Sequence, residues 1–112
     1  MTQANAVRFY YPDAPDIPLP PGHRFPAAKY RLLHEAVLRE QVLPARTLVA
    51  SPLVERSQLL AVHSVGYVDA VLSGTLDERA VRQLGLPLSD VLQRRSLATV
   101  GGSLAAARAA LQ

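Results

Sequence analysis

The chain contains no cysteine and no tryptophan, a single methionine and a single lysine, Lys29. Without cysteine, disulfides and thiolate chemistry are excluded. Aromatic residues are scarce too, 5% of the total, so any core is mainly aliphatic. Apolar runs are too short or too broken for a membrane span, and no membrane partner is expected. The N-terminus shows no basic region followed by an apolar run, so no signal peptide is visible. The expected compartment is the cytoplasm.

Arginine supplies nearly all of the positive charge. Lysine and arginine together number 12 against 9 acidic residues, for a net charge of +3. The arginines are spread along the chain, and only Arg94 and Arg95 are adjacent. A nucleic-acid reader concentrates such charge on one face. Solvated arginines on amphipathic helices fit this pattern better, and no nucleic-acid partner is expected. At 112 residues, 49% of them apolar, the chain has the size and composition of about one domain.

The remaining chain has to be explained around residues 88–112. Ser89 and Asp90 read as a helix start, with the acid in the first turn where the macrodipole favours it. From Leu97 to Leu111 the only charged residue is Arg108. A helix that is apolar or small on nearly every face calls for burial on every face. Gly101 and Gly102 cost about 1 kcal/mol each relative to alanine in a helix interior. Another segment should therefore approach closely enough to use their missing side chains. With only 87 residues before it and no strongly hydrophobic strand after it, this helix points to an incomplete domain.

Earlier in the chain, Val7 to Tyr11 is β-branched and aromatic and reads as a strand. Pro12, Pro15, Pro18, Pro20 and Pro21 then rule out helix or central strand and make a stiffened surface loop. Pro26 suits the first position of a helix running to about Gln41, with Tyr30, Leu33 and Val37 at helical spacing. Glu35 stands four residues before Arg39 in the favourable orientation for an ion pair. Thr47 to Ala50 reads as a second strand, and strand, helix, strand with these lengths is a parallel βαβ unit. Ser57 caps a short turn through Leu60. Ser64 caps a helix from Val65 to Ser73, with Val68, Val71 and Leu72 inward and Gly74 as its stop. Thr75 to Glu78 has capping-box spacing for a helix ending at Gly85.

No complete catalytic constellation emerges from these residues. His23 lies in a loop, His34 on a polar helix face, and His63 before a cap, where it reads as a satisfied, semi-buried histidine. None belongs to a His-Glu-x-x-His or Cys-x-x-Cys pattern, so no metal site is expected from this chain alone. There is no Gly-x-Ser-x-Gly elbow for a serine nucleophile. Gly101-Gly102-Ser103 lacks the Gly-Lys-Ser/Thr ending of a phosphate loop; close packing of helix on strand is the expected use of the glycines.

Four segments in order carry a family resemblance. Phe9-Tyr10-Tyr11 is followed by Leu19-Pro20-Pro21-Gly22-His23-Arg24-Phe25-Pro26, then Lys29-Tyr30 and Leu32-Leu33. Leu59-Leu60-Ala61-Val62-His63-Ser64 precedes Tyr67-Val68. Leu84-Gly85-Leu86-Pro87 comes next, and Arg94 through Ala107 spans the Gly-Gly helix. Together, over about Val7 to Leu111, they resemble the opening of bacterial histone-deacetylase-family proteins, closest to the branch similar to class IV deacetylases. The resemblance implies an α/β fold, the N-terminal portion of the three-layer α/β/α architecture shared by arginases and deacetylases. In this portion it is mostly helical, with about two short parallel strands.

Chemically, the resemblance implies hydrolysis of an N-acetyl amide, with acetyl-lysine or an acetylated small amine as substrate. In the family, a zinc ion held by two aspartates and a histidine polarises the carbonyl and activates water. Two adjacent histidines handle the protons, and a tyrosine or its substitute assists at the oxyanion. All of those residues fall later than the Gly-Gly helix, so residues 1–112 are expected to form the N-terminal fragment of one deacetylase-like domain that binds no zinc. Class I members place a substrate-gripping aspartate where this chain has Leu86-Pro87, in agreement with the class IV-like branch. Two residues carry over as substrate or channel candidates. Arg24 falls where related enzymes line the cavity beneath the zinc, and His23 precedes it at the active-site rim; an ordinary helix-entry charge is the other reading of Arg24. The alternative to a hydrolase fragment is a non-enzymatic helical interaction module, in which a partner covers helix 88–111.

Overall fold

The computed structural model describes residues 7–112. Residues 1–6, which bear on the expectation about a signal peptide, lie outside the described part.

Two short strands, β1 (Phe9–Tyr11) and β2 (Leu48–Ala50), pair in parallel. Phe9 faces Leu48, Tyr10 faces Val49 and Tyr11 faces Ala50. The Ser51 N–H continues the ladder by donating to the Tyr11 carbonyl at 2.8 Å. Between the strands runs α1 (Lys29–Arg39), which completes the expected βαβ unit. The chain is thus mixed α/β, mostly helical, with two parallel strands.

Helix α1 begins later than Pro26 suggests. Residues 26–28 have no side chain able to cap a helix, and the Pro26 carbonyl instead accepts the Lys29 N–H at 3.1 Å in a preceding turn. Glu35 pairs back to Arg31 at 3.4 Å, while Arg39 turns to Glu40 at 3.3 Å. The expected Glu35–Arg39 pair is therefore replaced by an Arg31–Glu35 pair. At the far end, Gln41 takes a left-handed φ of 53°. Val42 N–H then reaches the Val37 carbonyl at 3.1 Å and Gln41 N–H the Leu38 carbonyl at 3.3 Å. These two bonds form a Schellman stop with glutamine in the position that usually takes glycine.

The next three helices are short: α2 (Arg56–Leu60), α3 (Val65–Ser73) and α4 (Glu78–Leu84). In α2 the cap is Glu55, whose N–H donates to Gln58 Oε1 at 2.9 Å, so Ser57 lies inside the helix rather than before it. Ser64 caps α3 as expected, accepting the Tyr67 N–H at 3.2 Å, and Gly74 ends it at φ 70°. For α4 the cap is Asp77, which accepts the Ala80 N–H at 2.8 Å. Thr75 bonds the Ser73 hydroxyl instead, at 2.8 Å. The expected capping box at Thr75 is thus replaced by a carboxylate cap two residues later.

Helix α5 (Asp90–Ala110) lies against β1, capped by Ser89, which accepts the Leu92 N–H at 3.0 Å. Its inward stripe is Leu92, Arg95, Ala98, Gly101 and Gly102. Other buried apolar residues are few: Ile17, Val37, Val54 and Val68. The described part is a slab of 52 × 36 × 16 Å with a radius of gyration of 16.2 Å. A compact domain of this length would have about 13 Å. Much apolar surface consequently stays outside: Leu111 is 87% exposed, Val62 79% and Val65 56%. No helix among the described residues is long and apolar enough to cross a membrane.

Candidate functional site

The expectation for Gly101 and Gly102 is met by the end of β2. A Cβ at residue 101 would run into the Pro52 carbonyl oxygen and stand 2.8 Å from both the Pro52 carbonyl carbon and the Val54 nitrogen. A Cβ at residue 102 would collide with the Ser51 hydroxyl and stand 3.0 Å from its Cβ. The two glycines therefore let α5 approach the backbone leaving β2. This contact fixes the position of the helix over the sheet.

On its other sides α5 is open. Val100 is 41% exposed, and Ser103, Ala106, Ala107 and Ala110 also face solvent. Thr99 and Ser103 hydroxyls turn back onto the helix, donating to the Arg95 carbonyl at 2.9 Å and the Thr99 carbonyl at 3.0 Å. Such back-bonding satisfies hydroxyls without a neighbour. Only one stripe of the helix is covered within residues 7–112.

His23 and Arg24 are neighbours in sequence with different surroundings. His23 Nδ1 accepts the Phe25 N–H at 3.1 Å, and Nε2 lies 3.2 Å from the Gly85 carbonyl oxygen. With Nδ1 taken up by the Phe25 N–H, Nε2 is the ring nitrogen that faces the Gly85 carbonyl. His23 thus ties the proline-rich loop to the C-terminal end of α4. Arg24 is exposed, and neither residue borders the two clefts described next.

A groove of about 380 Å³ runs between α3, α4 and the start of α5, lined mainly by Val71, Leu76, Leu84, Leu88 and Leu92. Gln93 closes its floor, with Nε2 donating to the carbonyls of Leu72 and Val71. The second cleft, about 180 Å³, lies between the 12–16 loop, α1 and α5. There the Tyr11 and His34 rings stack at 4.0 Å. Arg31 reaches across to Asp16 at 3.0 Å. Hydrogen bonding and attraction from Asp16, then the bond to Glu35, push the Arg31 guanidinium above its ordinary value, so it stays charged.

Arg95 forms the inner wall of this cleft and corrects the expectation of solvated arginines. It is 4% exposed, and its guanidinium carbon lies 3.5 Å from the Tyr30 ring centroid. The sequence does hold a signal for it: Leu92, Arg95, Ala98 and Gly102 share one helical stripe. Charge alone hid the arginine among residues that are buried. His63 departs from expectation in the other direction: it is exposed, 5.5 Å from the Tyr67 ring rather than semi-buried.

Among the described residues no three His, Asp or Glu side chains converge in a way that could hold a metal ion. Nor do the described residues make the two-aspartate, one-histidine zinc site of the deacetylases that the sequence resembles, and no step through a metal follows from them. No family model matches the chain. Over 103 residues, 92% of its length, the chain is 40% identical to an uncharacterized protein of Picosynechococcus sp.. The match takes in 34% of that relative, so the chain spans about a third of the length of the curated protein it resembles.

Proposed function

We propose that this chain forms the N-terminal part of a zinc-dependent deacetylase-type hydrolase with the arginase/deacetylase α/β/α fold. The reaction is hydrolysis of an N-acetyl amide, on acetyl-lysine or an acetylated amine, in the cytoplasm. Zinc and the proton-handling histidines belong to the remainder of the domain. His23 and Arg24 are placed at the substrate side, His23 holding the loop that carries Arg24.

The observation that carries this reading is the seating of α5. Its Gly-Gly face is set against the backbone at the end of a parallel strand, while its remaining apolar faces stay open. A helix so placed is suited to a layer of a larger sheet-centred domain, where both sheet faces are covered. The flat shape, two strands only and few buried side chains fit the same reading, and the ordered sequence segments add the chemistry.

The exposed apolar side of α5 also favours a second reading, an interaction module that docks this helix on a partner. Assay of the longer Picosynechococcus protein separates the two. With zinc present it should release acetate from an acetyl-lysine peptide or an acetylated diamine, and a chelator should stop it. Residues 1–112 alone should show no zinc-dependent turnover. A folded, zinc-loaded relative without amide hydrolysis, or chelator-sensitive turnover by residues 1–112 alone, would refute the hydrolase reading.

A further inference from the structure

We propose that the groove between α3, α4 and the start of α5 binds a small organic cation with an apolar body, a primary alkylammonium whose head group meets the Asp90 carboxylate. The inference stands apart from the hydrolase reading, because it uses only groups within residues 67–96.

Most polar side chains of this groove are already engaged by backbone. The Ser73 hydroxyl donates to the Asp69 carbonyl at 2.6 Å, and the Ser96 hydroxyl to the Leu92 carbonyl at 2.8 Å. Ser89 accepts the Leu92 N–H at 3.0 Å, and the Gln93 amide is taken up by the carbonyls of Val71 and Leu72. What remains facing a ligand is mainly aliphatic, from Val71 and Leu76 to Leu84, Leu88 and Leu92. Leu84 and Leu88 are 45% and 39% exposed although they line a concave wall. A concave, mostly apolar wall with a few polar groups is the ordinary form of a small-molecule site, and covering such a wall is favourable.

Charge selects the head group. The chain carries 12 lysines and arginines, yet none of them lines the groove. Asp90 is the one carboxylate there, and Ser89 rather than Asp90 caps α5. Its side chain has no ion pair or hydrogen bond among the described residues and is exposed to an incoming cation. The C-terminal ends of α3 and α4 also reach the groove, at Ser73 and Leu84. Helix C-termini favour positive charge, whereas the one N-terminal end present, that of α5, already carries Asp90 in its first turn. Size narrows the class further. A water molecule occupies roughly 30 Å³ of liquid, so about 380 Å³ holds a short alkyl chain and its ammonium but no nucleotide.

Hexylammonium is the probe, titrated into the protein at constant ionic strength beside hexanol and hexanoate, which share its chain length and differ in charge. The methyl signals of Leu84 and Leu88 are followed by NMR. Saturable shifts are expected, with hexylammonium tightest and hexanoate weakest. Asp90→Asn should weaken hexylammonium by about threefold, the worth of one exposed ion pair, and leave hexanol as it was. Retained hexanol binding in that variant shows that the groove is still formed. Leu88→Ala keeps the charge and should weaken both ligands by about threefold or more. A linear, non-saturating response, or hexanol or hexanoate bound as tightly as hexylammonium, would overturn the proposal. So would an Asp90→Asn variant that changes both ligands alike, a Leu88→Ala variant that changes neither, or a further segment of the polypeptide that fills the groove and shuts all three probes out.

Discussion

The backbone N–H of Val54 donates a 3.1 Å hydrogen bond to the carbonyl oxygen of Leu97. Leu97 is four residues before Gly101, so this is the acceptor that an α-helix offers to the N–H of residue 101. The segment leaving β2 thus shares a helical carbonyl, and it reaches that carbonyl over a glycine. Alanine at 101 would meet the backbone of Pro52 and Val54, which cannot rotate away.

Two opposing terms decide the outcome at the glycine pair. Replacing a helical glycine with alanine gains about 1 kcal/mol in propensity, whereas overpacking costs about 1–3 kcal/mol and sometimes more. At Gly101 the obstacle is backbone, and Gly101→Ala should lose about 2 kcal/mol or more in urea unfolding. At Gly102 the obstacle is the Ser51 side chain. Gly102→Ala should cost less, and Ser51→Gly in the same chain should recover part of the loss. Equal costs at both positions would contradict the packing described.

At the start of α4, capping is assigned to Asp77 rather than Thr75. Asp77→Ala should lower stability by about 1 kcal/mol, while Thr75→Ala should stay within about 0.5 kcal/mol. Thermal melting of the two variants checks the assignment, and the reverse order would show that Thr75 caps the helix.

Gln41 offers a stabilising change. A side chain in the left-handed region costs about 1 kcal/mol or more, which glycine avoids at some entropic cost in the unfolded chain. Gln41→Gly should therefore raise stability by roughly 0.5 kcal/mol. A drop in melting temperature would mean that the glutamine side chain contributes a contact that outweighs its backbone strain.

Local chemistry made much of this fold legible in sequence. Ser64, Ser89, Gly74 and Gly85 each act within one turn of their own position, and each sits where it was expected. The βαβ unit was legible from its alternating element types, and the glycine pair from its otherwise unexplained cost. Arg95 had a local signal in its place on the buried stripe of α5, but the residue that covers its charge, Tyr30, lies 65 positions away in sequence, and no local pattern reports that contact. Glu35 was misassigned because it could pair with an arginine on either side, and the tertiary contact of Arg31 with Asp16 favoured that side. The sequence reading had His23 in a loop, as the structure does. It could not show the bond to Gly85 that makes His23 a tie between segments.

A chimera tests most directly whether this chain supplies the opening part of a metal-dependent amide hydrolase. The matching third of the Picosynechococcus protein is replaced by residues of this chain, and acetate release from acetyl-lysine peptides and acetylated diamines is measured with zinc and with chelator. The predicted result is a cooperatively folded chimera that retains the parent's zinc-dependent hydrolysis. A parent without such activity, or a chimera that melts like its parent yet releases no acetate, would contradict the account.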